Sequence, residues 1–516
     1  MSLTAHALGM DAPISRRDFF DGIAVSCVAA GTSAGPCDRP DAFTVRGDTG
    51  AALGVPHALR DGRFWEYAGP PVPTGESYDL VVVGGGRGGR SAAAEWLRRR
   101  PRAGVLVLDN HDELPGDPGG LDGPEPFDAV MCDQESFGTD TLVTTTSPGW
   151  IDRLPIAARA RRDLSALHDD PPDWFPGLPA AAKQERLAGL TYSQFLREVC
   201  GAHQDVERFS RTMSCPEWGY DTRAFGAIDA WGTGYPGFGG LGLSRDEPSR
   251  YNSPTVRRGW HGPAPATAVP PVDGRARVRA GSPVVSVRDG VRSATVGYFD
   301  GDQVRTVEAG AVILACWSAV VPYLVPDLPA ERGRALRRAT RVPLLRATVR
   351  LRDAAAWRRL GVRRVRWTGA YWNVCAFAPP DTVRLLATPC RSELGPDAGS
   401  AAGRRDLLGT PYEALERGVR DQLARLLGPA GFDPGGGVAA ITVHRWGHAL
   451  APEYCRPWHP FYPDGPLPAD AARGRFGRIA IAGSDSAPAA GPAARGEAAV
   501  LAAHRAVEEF FGEAGR

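Results

Sequence analysis

Residues Ser77–Asn110 read SYDLVVVGGGRGGRSAAAEWLRRRPRAGVLVLDN, and this stretch constrains the fold more tightly than any other. Leu80–Val83 is an apolar run without alternation, the pattern of a strand covered on both faces. It runs into Gly84, Gly86 and Gly89, which complete G-x-G-x-x-G. A helical pattern follows, with Ala92, Ala93, Trp96 and Leu97 on one face and Arg98, Arg99 and Arg100 at the C-terminal end, where cations suit the helix dipole. Val105–Leu108 is a second buried strand, ending on Asp109. Strand, glycine turn, helix, strand and acid in this order form a dinucleotide-binding unit. Gly84 allows the tight turn off the strand, Gly86 lets the backbone approach a diphosphate, and Gly89 lets helix and sheet pack closely. Arg87 and Gly88 fall at the helix tip, whose free N–H groups attract phosphate. Asp109, twenty positions after Gly89, is placed to hold ribose hydroxyls, with Asn110 beside it.

The chain has 516 residues, enough for two or three domains, and a net charge of +1, which suggests neither a nucleic-acid nor an anionic-membrane partner. Lys183 is the single lysine, so Schiff-base chemistry would have only that residue to use. The nine cysteines are dispersed, without a C-x-x-C pair, which argues against a disulfide framework and a structural zinc site. No apolar run approaches the roughly 20 residues of a membrane span.

Arg16-Arg17 before the mildly apolar Gly22–Ala34 reads either as a twin-arginine export signal or as an ordinary N-terminal helix or tail. The expected location is periplasmic or exported in the first case and cytoplasmic in the second. Pro36–Pro73, rich in Gly, Pro and charge, is expected to be an extended arm. Helices are expected around Ala157–Leu167 and over Leu190–Val199, the latter with Thr191 as N-cap. Cys215–Leu243, dense in aromatics and glycine, suits a loop lining a pocket or a packed aromatic loop. Ser249–Asp273 reads as a surface excursion. Ser282–Val287, Ser293–Phe299 and Val304–Glu308 alternate as a short meander, followed by a separate buried strand at Ala311–Ala315. Arg334–Arg352, Val365–Ala378 and Val383–Ala387 furnish helix and strands of a second domain, Pro411–Leu427 an amphipathic helix, and Ala439–Trp446 a strand. Arg478–Ala482 is a last buried strand before Gly483-Ser484-Asp485 and a closing helix.

A βαβ unit at one end, a meander feeding a buried strand in the middle and a strand–GSD–helix at the other end resemble the two-domain flavoprotein fold of the amine oxidase and glutathione reductase group. Within that group, HALRDGRFWEYAGPPVPTGESYDLVVVGGG, LDNHDE, AWGTGYPGFGGLGL, ILACWSAVVPYLVPDLP and ITVHRWGHA…FGRIAIAGSDS resemble bacterial spermidine dehydrogenases and their relatives. The resemblance implies an α/β fold with a discontinuous Rossmann-like FAD domain and a mixed-sheet substrate domain. The implied division is signal or helix 1–35, arm 36–76, FAD domain 77–150, substrate or cap region 151–273, FAD domain 274–320, substrate domain 321–472 and FAD domain 473–516. It also implies FAD as cofactor, held by Gly84, Gly86, Arg87, Gly88, Gly89, Asp109 and Asn110, and by Val285, Ala315, Gly483 and Asp485, with Asp485 reaching the ribityl chain. One departure is local. The Gly-Gly segment and basic residue that such flavoproteins carry after the ribose acid are replaced by Leu114–Gly120, with no arginine before Arg153.

The resemblance further implies a small-molecule amine as substrate, with hydride transfer from its Cα–H to flavin N5 and hydrolysis of the resulting imine. The protein then needs to desolvate the reacting carbon and hold distal ammonium groups with aromatic faces and carboxylates. Trp317, Trp446, Glu453 and Tyr454 are the leading candidates at the reaction centre. Glu217, Trp218, Asp229, Trp231, Tyr235 and His448 are further candidates, each equally open to a packing role. His444 and His448 stand four apart, but the β-branched run before them places them on a strand, so no metal site is read. Two rival readings remain open: a flavoenzyme acting on a biosynthetic intermediate, and a non-catalytic scaffold that has lost the flavin half of its site.

Overall fold

The computed structural model describes residues 43–114, 127–257, 274–451, 453–487 and 495–512. The twin-arginine segment, most of Leu114–Gly120, and residues 258–273 of the Ser249–Asp273 excursion lie outside these residues. The described residues begin with β1 (Phe43–Gly47), helix α1 (Gly50–Arg60), β2 (Val72–Val83), helix α2 (Arg87–Arg99), β3 (Val105–Leu108), β4 (Ala129–Cys132) and β5 (Thr141–Thr144). A mostly helical stretch leads to β6 (Ala276–Arg279), β7 (Val284–Arg288), β8 (Ala294–Phe299) and β9 (Val304–Leu314). Then come β10 (Val342–Leu351), β11 (Arg364–Trp367), β12 (Val374–Ala378), β13 (Thr382–Ala387), β14 (Val438–Leu450), β15 (Ile479–Ile481) and a C-terminal helix, Arg495–Phe511.

Two sheets organise these elements. In the first, β6, β3, β2, β9 and β15 run parallel, with β8 and β7 added antiparallel at β9. The expected break between Val304–Glu308 and Ala311–Ala315 does not exist. β9 is one continuous strand whose first half closes the meander and whose last residues, Ala311–Leu314, enter the parallel sheet. Gly310 permits the passage: a Cβ there would sit 3.1 Å from the Asp79 carbonyl. Leu80–Val83 and Val105–Leu108 are buried on both faces, as their unalternating sequence requires, each side chain contributing about 1.5–3 kcal/mol. The apolar stripe of α2 packs on this sheet, and Trp96 meets Phe510 and Phe511 of the C-terminal helix edge-on at 5.6 and 5.1 Å.

The second sheet is mixed, in the order β1-β14-β10-β13-β12-β11-β4-β5. It corrects two expectations. Ala129–Thr144, assigned by position to the FAD domain, forms β4 and β5 at the edge of this sheet, with Val365–Trp367 of β11 paired parallel to Ala129–Met131 of β4. Where it is described, the 36–76 arm is extended only at β1 and at the start of β2, and it is helical between them. β1 lies along Ile441–Arg445 of β14, and α1 buries Ala52, Leu53, Val55, Ala58 and Leu59, with Thr49 accepting a hydrogen bond from the Ala52 amide as its cap. An apolar spacing of three to four residues outweighed the local Gly and Pro content.

Helices between Trp150 and Arg257 cover one face of this sheet and share a core with Val342, Leu344, Trp446 and Leu450. Ser249, Asn252 and Ser253 are buried in that core, so the start of the expected surface excursion is interior. Thr191 caps its helix in a reciprocal box: its hydroxyl accepts from the Gln194 amide, and the Gln194 side chain accepts from the Thr191 amide. Thr191→Ala is expected to cost about 1 kcal/mol, read as a lower urea midpoint at constant slope. An unchanged midpoint would show that the cap is redundant.

Candidate active site

The glycine corner is built for close backbone approach. Gly84 has φ +106°, and a Cβ there would meet the Ala315 carbonyl oxygen at 2.9 Å. A Cβ at Gly89 would lie 1.8 Å from the Gly84 carbonyl oxygen, and one at Gly88 would lie 2.9 Å from that of Ala482. At Gly86 a Cβ would have none of the described atoms within 4 Å. Three glycines are thus imposed by the protein's own packing, whereas Gly86 borders open space at the N-cap of α2, where no side chain caps the helix. Arg87 is buried at the same tip. Arg90, one turn on, is half-buried; burial lowers its pKa and the Asp109 charge opposes this.

Asp109 is buried at the end of β3. Its Oδ2 accepts from the Gly85 amide at 2.5 Å, and its Oδ1 accepts from the His111 amide at 2.8 Å. The Asn110 amide group donates to the Ala52 carbonyl of α1 at 2.9 Å and so anchors the arm. Val285 is buried in the meander core. Ala315 donates its amide to the Val83 carbonyl at 2.8 Å, closing the sheet behind Gly84.

Asp485, at the end of the last parallel strand, lies at the far side of the corner. Its Oδ2 accepts from the Ser318 amide at 3.1 Å and from Arg341 Nε at 3.2 Å. Arg341 also donates to Ser484 Oγ at 2.7 Å and to the His448 and Ala449 carbonyls at 3.3 Å. Among the described residues, Asp485 Oδ1 is buried and has no hydrogen-bond partner, so one carboxylate oxygen is left for a hydroxyl. Arg341, unmarked by any motif, is the residue that sequence reasoning missed. It stands just before β10 and is the basic partner of Asp485.

Trp317 and His448 flank this pair. Their rings stack at 3.9 Å with 25° between planes. Burial and the charges of Arg404 and Arg341 hold the His448 imidazole well below its usual pKa, so it is neutral. Trp446 is buried on the same face of β14, stacked on His444 at 5.4 Å, with Arg346 over its ring at 5.9 Å. Tyr454 is buried near Asp485, whose charge adds to burial in raising its pKa. Glu453 points elsewhere, into a buried polar cluster. Thr255 Oγ1 donates to it at 2.5 Å, and burial together with neighbouring Asp229 pushes its carboxyl well above the usual range. Asp229 is held by the Ser253 amide at 2.8 Å, and its own pKa is raised to about 6 by burial. Glu453 and Asp229 therefore belong to the helical region and do not join Trp317 and Asp485.

The aromatic stretch Cys215–Leu243 folds into short helices, Cys215–Trp218 and Ala227–Gly232, rather than a plain loop. Trp231 is core, but Glu217, Trp218 and Tyr235 line a cavity of about 340 Å³ with Trp150, Phe209 and Arg366. Lys183 is distant from all of this in function: it pairs with Asp173 at 2.7 Å and donates to the Leu241 carbonyl.

A bare phosphate-facing glycine, an acid at each end and an orphaned Asp485 oxygen fit an extended dinucleotide. Gly84–Gly89 would hold its diphosphate, Asp109 its ribose and Asp485 its second half. A family model described as flavin containing amine oxidoreductase matches residues 191–509, more than half of the chain. The chain belongs to that family. It is an FAD-dependent amine oxidoreductase, and FAD, when bound, accepts the electron pair removed from the amine. Among solved structures, cyclohexylamine oxidase from Brevibacterium oxydans IH-35A is similar at 18% identity and a TM-score of 0.50, over 85% of this chain and 100% of that one. A wild-type putrescine oxidase bound to putrescine aligns at 17% identity and a TM-score of 0.46, over 86% and 100% of the two chains. The first likeness shows the shared two-domain fold. A comparison with curated protein sequences finds no match. Among the described residues, no helix of this oxidoreductase is long and apolar enough to cross a membrane.

Proposed function

We propose that this oxidoreductase acts as a spermidine dehydrogenase-like enzyme on an elongated amine carrying a second polar or cationic end. The observation that carries this reading is the aromatic cavity of about 340 Å³ with Glu217 on its wall. Val130 of β4 and Arg366 of β11 form one side of it. Gly219, next to the lining residue Trp218, packs against Val342 of β10 and Leu450 of β14, where a Cβ would meet them at 2.7 and 2.8 Å. A substrate with its reacting carbon near Trp317 and its far end by Glu217 would be extended, as a polyamine is. Aromatic faces and one carboxylate suit such a cation. The reacting nitrogen enters neutral, with its lone pair free to stabilise the developing imine. The carbon next to it loses a hydride, and water then adds to the imine to release a carbonyl product and an amine.

Anaerobic mixing with spermidine, putrescine and simple monoamines tests this. The purified protein should show flavin bands near roughly 375 and 450 nm, and spermidine should bleach the second. Glu217→Gln should raise the KM for spermidine about tenfold, the order of one charge-assisted hydrogen bond, while a monoamine of similar size changes little. Bleaching by monoamines alone would refute the elongated substrate. The same refutation would follow from equal effects of the variant on both classes.

A further inference from the structure

We propose that His111 is a positioning residue for the cofactor's ribose acid: as an imidazolium between Asp109 and Asp48, it orients Asp109 and ties the arm and β14 to the dinucleotide-binding unit. His111 Nδ1 lies 2.7 Å from Asp109 Oδ1, and its Nε2 lies 3.1 Å from Asp48 Oδ1. All three residues are buried. Asp48 stands between β1 and α1, and its Oδ2 accepts from the Gly447 amide of β14 at 2.7 Å. Arg445 Nε donates to the Asp48 carbonyl at 3.0 Å, and the Asp48 amide donates to the Arg445 carbonyl at 2.7 Å. A run of hydrogen bonds thus begins at the Gly85 amide, passes through Asp109, His111 and Asp48, and ends on the second sheet.

A neutral imidazole has one N–H and cannot donate to two carboxylates at once; an imidazolium can. Burial by itself would lower the proton affinity of His111, but the hydrogen bonds to Asp109 and Asp48 outweigh it and raise the pKa to about 10. The other charges that face the two carboxylates come from four elements. Arg90 of α2 faces Asp109. His57 of α1, Arg404 of helix Pro396–Gly409 and Arg445 of β14 face Asp48. Arg46 is paired at the surface with Asp112 and Glu113, at 3.7 and 3.9 Å. The arginines stay charged at any working pH. Burial and Arg60 lower the pKa of His57, and burial lifts the Cys316 thiol near Asp109 to about 12. The sign follows. A raised pKa means that the orienting charge is present below it and lost as pH rises through about 10.

The test is FAD release from full-length holoenzyme on dilution, read by flavin fluorescence between pH 6 and 9. Wild type should hold FAD with constant affinity over this range. His111→Gln should weaken FAD about tenfold at every pH. Asp48→Asn removes one carboxylate and so lowers the proton affinity of His111. Its FAD affinity should match wild type at pH 6 and fall about tenfold by pH 9, a slope that a purely structural contact would not produce. FAD affinity within twofold of wild type for His111→Gln would overturn the proposal, as would an Asp48→Asn profile parallel to wild type. A measurement independent of variants is the ¹⁵N spectrum of histidine-labelled wild type at pH 8. An imidazole protonated on both nitrogens is expected, and its absence overturns the proposal.

Discussion

Gly86→Val is expected to give a folded protein with little or no bound FAD. The argument rests on contrast among four glycines in one turn. At Gly84, Gly88 and Gly89 a Cβ would lie 2.9, 2.9 and 1.8 Å from a backbone carbonyl oxygen, so substitution there must move the protein itself. At Gly86 a Cβ would have none of the described atoms within 4 Å, so the valine has room in the cofactor-free protein. The space it takes is the space a diphosphate needs against the tip of α2. Gly89→Ala is the complementary case and should fail to fold, because the helix cannot move off its strand without opening the core around Val82, Ala92 and Ala93. Visible absorbance of purified Gly86→Val, with circular dichroism to check folding, decides the matter. Normal FAD content in a folded Gly86→Val protein would remove the basis for the cofactor assignment.

Arg341→Met should be the most destabilising single side-chain change at the flavin end. Arg341 and Asp485 are both buried, and the guanidinium is also tied to Ser484 Oγ and two carbonyls of β14. Removing one member leaves Asp485 as a buried anion with, among the described residues, only the Ser318 amide for compensation, which costs about 3–5 kcal/mol. Replacing both members, Arg341→Met with Asp485→Leu, should cost less than the two single changes together, because no charge is then stranded. Urea midpoints at fixed excess FAD read the effect. A single Arg341→Met variant as stable as wild type would mean that the pair carries no such burden.

Legibility in the sequence followed the range of the forces involved. The βαβ unit could be read because each of its parts is local: an apolar run, glycines at fixed offsets, a helical stripe and an acid at a set distance. The Thr191 cap, the meander and the strand before Gly483 could be read for the same reason. The continuity of β9 could not, because Gly310 looks like a break until the sheet is seen to pack closely on the Asp79 backbone at that crossing. The assignment of Ala129–Thr144 failed on a non-local fact. Its strands are short and apolar, and only pairing with β11, more than 200 residues later, decides which sheet takes them. The arm was misread because α1 owes its stability to the core beneath it rather than to its own propensity.

The candidate site divides along the same line. The composition of the diphosphate corner and its acid was determined by the sequence alone, since the positive φ at Gly84 and the 1.8 Å approach of a Gly89 Cβ to the Gly84 carbonyl oxygen are properties of the turn itself. Tertiary structure alone decided that Arg341 serves Asp485, that His111 is shared between Asp109 and Asp48, and that Glu453 sides with Asp229 and not with Trp317. These are contacts between charges far apart in the chain. A charge carries no periodicity, and its partner is chosen only once burial has removed the water that would otherwise satisfy it.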